Sequence, residues 1–181
     1  QNARRDMPDF LDPKATTVTR LMQEAGYATA HFGKWHLGSG PEAPRPSAYG
    51  IDVHRTVNAN DPNGWEEKDP YFRARSTGYI VDETLKFVET HRDRPFFVQA
   101  WILLTHATLN PTAEQLKPFE RFTAAGVPFT SPAQIYHASV ADADREIGRL
   151  GAQLDVMGLG GKTLVMLSSD NGPEDISILN A

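Results

Sequence analysis

A chain of 181 residues with 40% hydrophobic content is the size of one globular domain and long enough to bury most of its apolar side chains in a single core. Its 18 basic and 23 acidic residues give a formal charge of -5, scattered without the basic block that would track a phosphate backbone, which argues against nucleic acid as a partner. No apolar run approaches the roughly 20 residues of a membrane-spanning helix and the start carries no basic segment followed by an apolar core, so a soluble chain without membrane contact is expected; the absence of cysteine removes disulfides and thiolate metal sites and leaves the redox compartment open.

The segment up to Pro13 is polar with two prolines, as in a surface approach. Thr16 or Thr17 can cap a helix in which Val18, Leu21, Met22 and Ala25 recur at helical spacing, with Gly26 as its C-terminal cap. Tyr27 to Phe32 is short and rich in strand formers, and it leads into the glycine-punctuated loop Gly33 to Gly38. From Ser39 to about Pro70 the density of Gly, Pro, Asn and Asp predicts a long surface excursion of the kind that shapes substrate pockets. Trp65, Tyr71 and Arg73 would recognise a substrate there or pack the loop.

Val81, Leu85 and Val88 mark a second helix, and Phe96 to Leu104, bounded by Pro95 and His106, fits a strand covered on both faces. The third helix runs from Tyr136 to Met157, where Tyr136, Val140, Ala143, Ile147, Leu150, Leu154 and Met157 line one face. After Gly158, Gly160 and Gly161 comes Thr163 to Leu167, another buried-strand pattern, then a turn at Ser168 to Pro173. Strands separated by helices require crossover connections, so the fold class is α/β, with a mainly parallel sheet sandwiched by helices in one domain. The chain begins at Gln1 without an initiator Met and stops at Ala181 just past a candidate active-site turn, and both ends are expected to be cut from something longer.

Three polar clusters each follow a predicted strand, and ligands of open α/β sheets bind beyond the carboxyl ends of strands. Lys34 and His36 are two residues apart, so an extended backbone points both to one side and Trp35 to the other, where the pair can hold an oxyanion. Flanking glycines would let that backbone approach a ligand closely. An exposed lysine beside a buried tryptophan and a structural histidine is the plainer account of the same residues. His106 leaves the apolar strand, able either to donate to an anion or to satisfy a nearby carbonyl. Asp170 and Asn171 offer oxygen ligands that suit calcium or magnesium over zinc, although Asn-Gly is also the commonest two-residue hairpin turn.

Taken together, Gly26-Tyr-Ala-Thr-Ala-His-Phe-Gly-Lys-Trp-His-Leu-Gly38, Phe96 to Thr112, Tyr136 to Met157 and Leu164 to Pro173 resemble, in order, the sulfatases of the alkaline-phosphatase-like superfamily, and they cover nearly the whole chain. The resemblance implies an incomplete sulfatase fold, residues 1-181 being part of one catalytic domain truncated at both ends. It implies sulfuric-ester hydrolysis by the parent protein, an arylsulfatase-like activity on a small sulfate ester or a sulfated carbohydrate. Lys34 and His36 would contact the sulfate, with His106 as a third contact and donor to the leaving group. Asp170 and Asn171 would bind a divalent metal, calcium by family habit and magnesium as the alternative.

The family also uses a formylglycine made within a C/S-x-P-x-R motif, which is expected upstream of this segment. No cysteine exists and the serine match Ser39-Gly40-Pro41-Glu42-Ala43 lacks the arginine and lies on the wrong side, so the segment alone is expected to be inactive. Ala107 to Asn110 separate His106 from Pro111, where the family places a proline soon after the histidine. Two other readings stand beside the first: a non-catalytic remnant or anion-binding protein, and a phosphate or phosphonate ester hydrolase of the same superfamily. Export to the periplasm, the extracellular space or the lysosome is implied by the resemblance alone, and the oligomeric state is open.

Overall fold

The computed structural model describes residues 8-123 and 131-172. In chain order these form helix α1 (Val18–Glu24), strand β1 (Ala28–Lys34), strand β2 (Val53–Val57), helix α2 (Phe72–His91), strand β3 (Phe96–Trp101), the short helix α3 (Ala113–Leu116) and helix α4 (Pro132–Val156), with short 3-10 helices at Pro46–Tyr49, Lys117–Phe122 and Gly160–Lys162. They divide into two compact units. One holds the chain as far as Glu66 together with Asp82–Trp101; the other holds Glu67–Val81 and the chain from Ile102 onward.

The first unit contains a three-stranded sheet in the order β2-β1-β3, parallel throughout. Ala30 to Lys34 pair with Val53 to Val57, and Ala28 to Gly33 pair with Phe96 to Trp101. As the middle strand, β1 is buried along all but its last residue. Small Ala28 and Ala30 share a face with Phe32, whose ring meets Phe87 of α2 edge-on at 6.1 Å, and the opposite face carries buried Thr29 and His31.

At α1 the expected cap is present: the Thr17 hydroxyl accepts from the Arg20 N–H at 3.2 Å, and Gly26 ends the helix at φ +87. The expected apolar stripe is not the buried side, for Val18 and Leu21 are exposed and Thr19 is buried. The reason is polar. The hydroxyls of Thr17 and Thr19 both donate to the Tyr49 carbonyl, at 2.8 and 2.6 Å, and Arg20 donates to the carbonyls of Pro13 and Ala48. Gly50, at φ +79, closes this contact, since any side chain there would collide with the Arg20 backbone.

The predicted excursion from Ser39 to Pro70 contains β2, which its Gly and Asn flanks concealed. Val53, Thr56 and Val57 favour a strand only weakly in a run of five, and β1 alongside decides the matter. The outer edge of β2 is closed by the chain that follows. Asp61 accepts from the Thr56 N–H at 3.1 Å, the Thr56 hydroxyl at 2.9 Å and the Asn63 N–H at 3.0 Å, and its carboxylate lies 3.1 Å from His54 Nδ1. The Trp65 N–H donates to the Thr56 carbonyl at 2.9 Å. An exposed strand edge is thereby satisfied locally.

Three further expectations are corrected. The strand expected to reach Leu104 ends at Trp101 and is half-buried, because pairing stops at Gly33 opposite Trp101 and Ile102 to Leu104 have no partner strand among the described residues. In the second unit α4 starts one turn earlier than expected, capped by the Ser131 hydroxyl. Its buried residues are Gln134, Ala138, Ser139, Asp142, Ala143 and Leu154: on the expected face Ala143 and Leu154 are buried and Val140 alone is exposed, while Gln134 joins the buried side because its amide donates to the Leu116 carbonyl at 3.0 Å and its oxygen accepts from the Thr123 hydroxyl. Thr163 to Leu167 is not a strand: Leu164 and Met166 are 85% and 83% exposed. No neighbouring strand lies alongside among the described residues, and a parallel strand needs partners and cover on both faces. Pro173, the end of the predicted turn, lies outside the described residues.

Burial pushes the Asp61 carboxyl up, but bonds from His54, Thr56 and Asn63 outweigh it and hold it below the usual carboxylate range; at Asp52 burial is likewise outweighed by donors from Thr29 and Gln23. Carboxylates of this kind stabilise the fold above their unfolded pKa, and the contribution disappears as pH falls through the folded value. In urea unfolding, Asp61→Ala is expected to cost about 2-4 kcal/mol, with stability falling below about pH 4 less steeply in Asp61→Asn than in the unaltered protein. The same cost in Asp144→Ala, an exposed aspartate of α4, would remove Asp61 from this role.

Candidate functional site

Beyond the carboxyl end of β1 the side chains alternate as an extended backbone requires. Lys34 is half-buried, Trp35 is 2% exposed and His36 is open to solvent. Trp35 anchors the segment: its ring lies 5.6 Å from Tyr49 in a core with Ile51, and its N–H donates to the Val57 carbonyl at 3.1 Å. The cationic Lys34 and the imidazole of His36, on either side of that anchor in sequence, are the more open residues of the segment. Gly33 and Gly38 have φ of +106 and +128. At Gly38 the close approach is to Phe10, which a side chain would strike, so this glycine serves packing within the unit.

His106 lies in a turn five residues past the end of β3. Its backbone N–H donates to the Leu103 carbonyl at 3.1 Å, and Nδ1 donates to the Ala107 carbonyl at 2.7 Å. In the neutral ring Nε2 is then the unprotonated nitrogen, so proton donation from Nε2 requires the imidazolium. The turn is clamped from the chain that opens α2: Arg73 Nη1 donates to the same Ala107 carbonyl at 2.7 Å while its Nε and Nη2 fork onto Glu67 at 2.7 and 3.2 Å. Asn110 adds a bond to the Pro70 carbonyl at 2.9 Å. Arg73 therefore holds the loop, a role its sequence position hid.

Asp170 and Asn171 are exposed in a bend that follows no strand among the described residues. The Ser169 hydroxyl donates to the Asn171 carbonyl at 2.6 Å, and the Asn171 amide donates to the Gly172 carbonyl at 2.6 Å. Their oxygens suit a hard cation in kind. In number they do not complete a shell, since no group of three or more His, Cys, Asp or Glu able to hold a metal occurs among the described residues.

His31 was not singled out by the sequence, yet it is fully buried behind this segment. Its Nε2 lies 3.0 Å from the Lys34 carbonyl oxygen and its Nδ1 3.3 Å from the side-chain oxygen Oε1 of Gln99. Only the register of β1 with β3, which sets His31 opposite Gln99, brings these groups together. Burial holds the His31 pKa below its ordinary value, against the opposing pull of its Lys34 and Gln99 hydrogen bonds.

A family model described as Sulfatase matches residues 3-175. The chain belongs to the sulfatase family. The N-acetylgalactosamine-6-sulfatase of Mus musculus is 28% identical over 189 residues, covering 90% of this chain and 34% of that protein. The N-acetylglucosamine-6-O-sulfatase of Bacteroides thetaiotaomicron is 27% identical over 138 residues, covering 75% of this chain and 24% of that protein. The sulfatase segment thus spans a quarter to a third of these relatives. The structure of Ps i-CgsB in complex with k-i-k-neocarrahexaose superposes with a TM-score of 0.65 at 19% identity, over 82% of this chain and 38% of that one. At that identity the likeness concerns the fold: three parallel strands flanked by helices, forming part of the alkaline-phosphatase-like sulfatase fold.

If Arg73 clamps the histidine turn, Arg73→Ala should raise amide exchange across residues 103-109 by about tenfold or more, the loss of one charge-assisted bond. Exchange there unchanged within about twofold would detach Arg73 from the turn.

Proposed function

We propose that the protein containing this sulfatase segment hydrolyses a sulfate ester and that Lys34 and His36 bind the sulfate group. One observation supports the reading: Trp35 is buried while Lys34 and His36 beside it are more open, at the carboxyl end of a central parallel strand, where ligands of such sheets bind. Sulfuryl transfer places negative charge on the sulfate oxygens and on the departing ester oxygen. Lys34 and His36 offset the first. His106, as the imidazolium, protonates the second as the S–O bond breaks, and water supplies the hydroxyl that ends on sulfur.

Asp170 and Asn171 would contribute oxygen ligands to a divalent metal, calcium with magnesium as the alternative, whose positive charge would polarise a sulfate group. The formylglycine nucleophile of the family belongs outside these residues, within a single catalytic domain of which this chain is part. The substrate class is a sulfated carbohydrate. Support comes from relatives named N-acetylgalactosamine-6-sulfatase, N-acetylglucosamine-6-O-sulfatase and Ulvan-active sulfatase. Export to the periplasm, extracellular space or lysosome accompanies the family reading.

In the whole protein, Lys34→Ala and His36→Ala are each expected to lower kcat/KM on an aryl sulfate by about 10²- to 10³-fold, and the 181 residues alone are expected to show no turnover. Rates in both variants equal to that of the unaltered protein would remove the pair from the site, and faster cleavage of the matching phosphate monoester would change the substrate class. Calorimetric titration of the whole protein addresses the metal. Asp170→Ala should weaken calcium binding far more than Asp144→Ala, since only the former removes a ligand along with a charge. Equal affinities in the two variants would return Asp170 to the status of a turn residue.

A further inference from the structure

Three residues of extended strand advance roughly 10 Å, so the ring of His31 would not ordinarily reach the carbonyl of Lys34. It does so here, at 3.0 Å, because Gly33 between them takes φ +106 and turns the chain end back over the ring. A carbonyl oxygen only accepts, so Nε2 carries the proton of the neutral imidazole; Nδ1 lies 3.3 Å from the side-chain oxygen of Gln99, and it becomes an accepting nitrogen when that amide turns its NH2 toward the ring. The ring is fixed from two further sides, by Trp35 edge-on at 5.2 Å and 89° and by Trp101 at 4.9 Å and 69°. Around this ring the chain changes direction. It then presents Lys34 and His36.

We propose that His31 is a positioning residue for Lys34: its Nε2–H holds the Lys34 carbonyl and so sets the direction from which the ammonium group meets the sulfate. This rests on the sulfate-binding reading of Lys34. His31 itself is buried and touches no substrate. Its effect passes through the backbone that Gly33 bends, and misplacing a charged group by about 1 Å can cost on the order of 100-fold in rate.

The test is a double-mutant cycle in the whole protein, read as kcat/KM on an aryl sulfate well below each variant's unfolding midpoint. His31→Leu removes the donor and is expected to lower kcat/KM by roughly 10- to 100-fold. His31→Gln keeps an N–H at the same reach and should recover most of that loss. In a Lys34→Ala background His31→Leu should change the rate by less than about twofold, since non-additivity marks two residues acting as one. The same factor in both backgrounds would reduce His31 to a stabiliser of the fold and overturn the proposal. Should His31→Leu not fold, the nitrogen-15 spectrum of the unaltered protein decides: a protonated Nε2 with a bare Nδ1 supports the proposal, and the opposite tautomer overturns it. Lys34→Ala without effect, by contrast, would overturn the sulfate-binding reading and leave the tautomer as found.

Discussion

A parallel strand flanked on both sides must have every backbone N–H and C=O met by its neighbours, and β1 sets the frame of its unit under that constraint. Its residues Ala30 to Lys34 pair with β2 on one side and Ala28 to Gly33 with β3 on the other, with small alanines and one phenylalanine on the face that meets Phe87 of α2 and polar Thr29 and His31 on the far face. Thr29 illustrates the cost met by partners: its hydroxyl donates to the Gly50 carbonyl at 2.9 Å and lies 3.0 Å from the Asp52 carboxylate. Buried polar groups in a central strand are tolerable only when bonded in this way.

The same constraint explains what the long segment after β1 does. Adding β2 creates a new open edge, and the next eight residues close it with the Asp61 carboxylate and the Trp65 N–H. Arg55 on that strand is held by Glu83 at 2.9 Å and lies over the Trp65 ring at 4.8 Å, so Trp65 serves the edge. Of the two readings of that loop, substrate recognition or packing, Trp65 takes the second, as a piece of sheet architecture.

Where no partner strand is present the hydrophobic pattern has no outlet. Leu164 to Leu167 are all well exposed, although the run is as apolar as any strand in the chain. Apolar sequence supplies a driving force for burial, but only a neighbouring strand and cover on both faces supply the place for it. The chain spans about a third of its curated relatives, and the pairing seen at β1 is not repeated here among the described residues.

From the sequence alone, the helix caps at Thr17 and Gly26, the alternation at Lys34, Trp35 and His36, the α/β class and the family were all readable, because each is written in short-range chemistry: a hydroxyl before a helix, a glycine at its end, a period of two. The buried face of α1 was not, nor was the burial of Gln134 on α4, because threonine and glutamine side chains found carbonyl partners distant in sequence and turned polar residues inward. Nor was β2, whose strand character comes from β1, nor the clamp of Arg73 on the histidine turn. His31 is the sharpest case. Nothing in the residues around it announces a contact with Lys34; the bend at Gly33, the register that brings Gln99 opposite and the two indole rings decide it, and all of these are properties of the folded sheet.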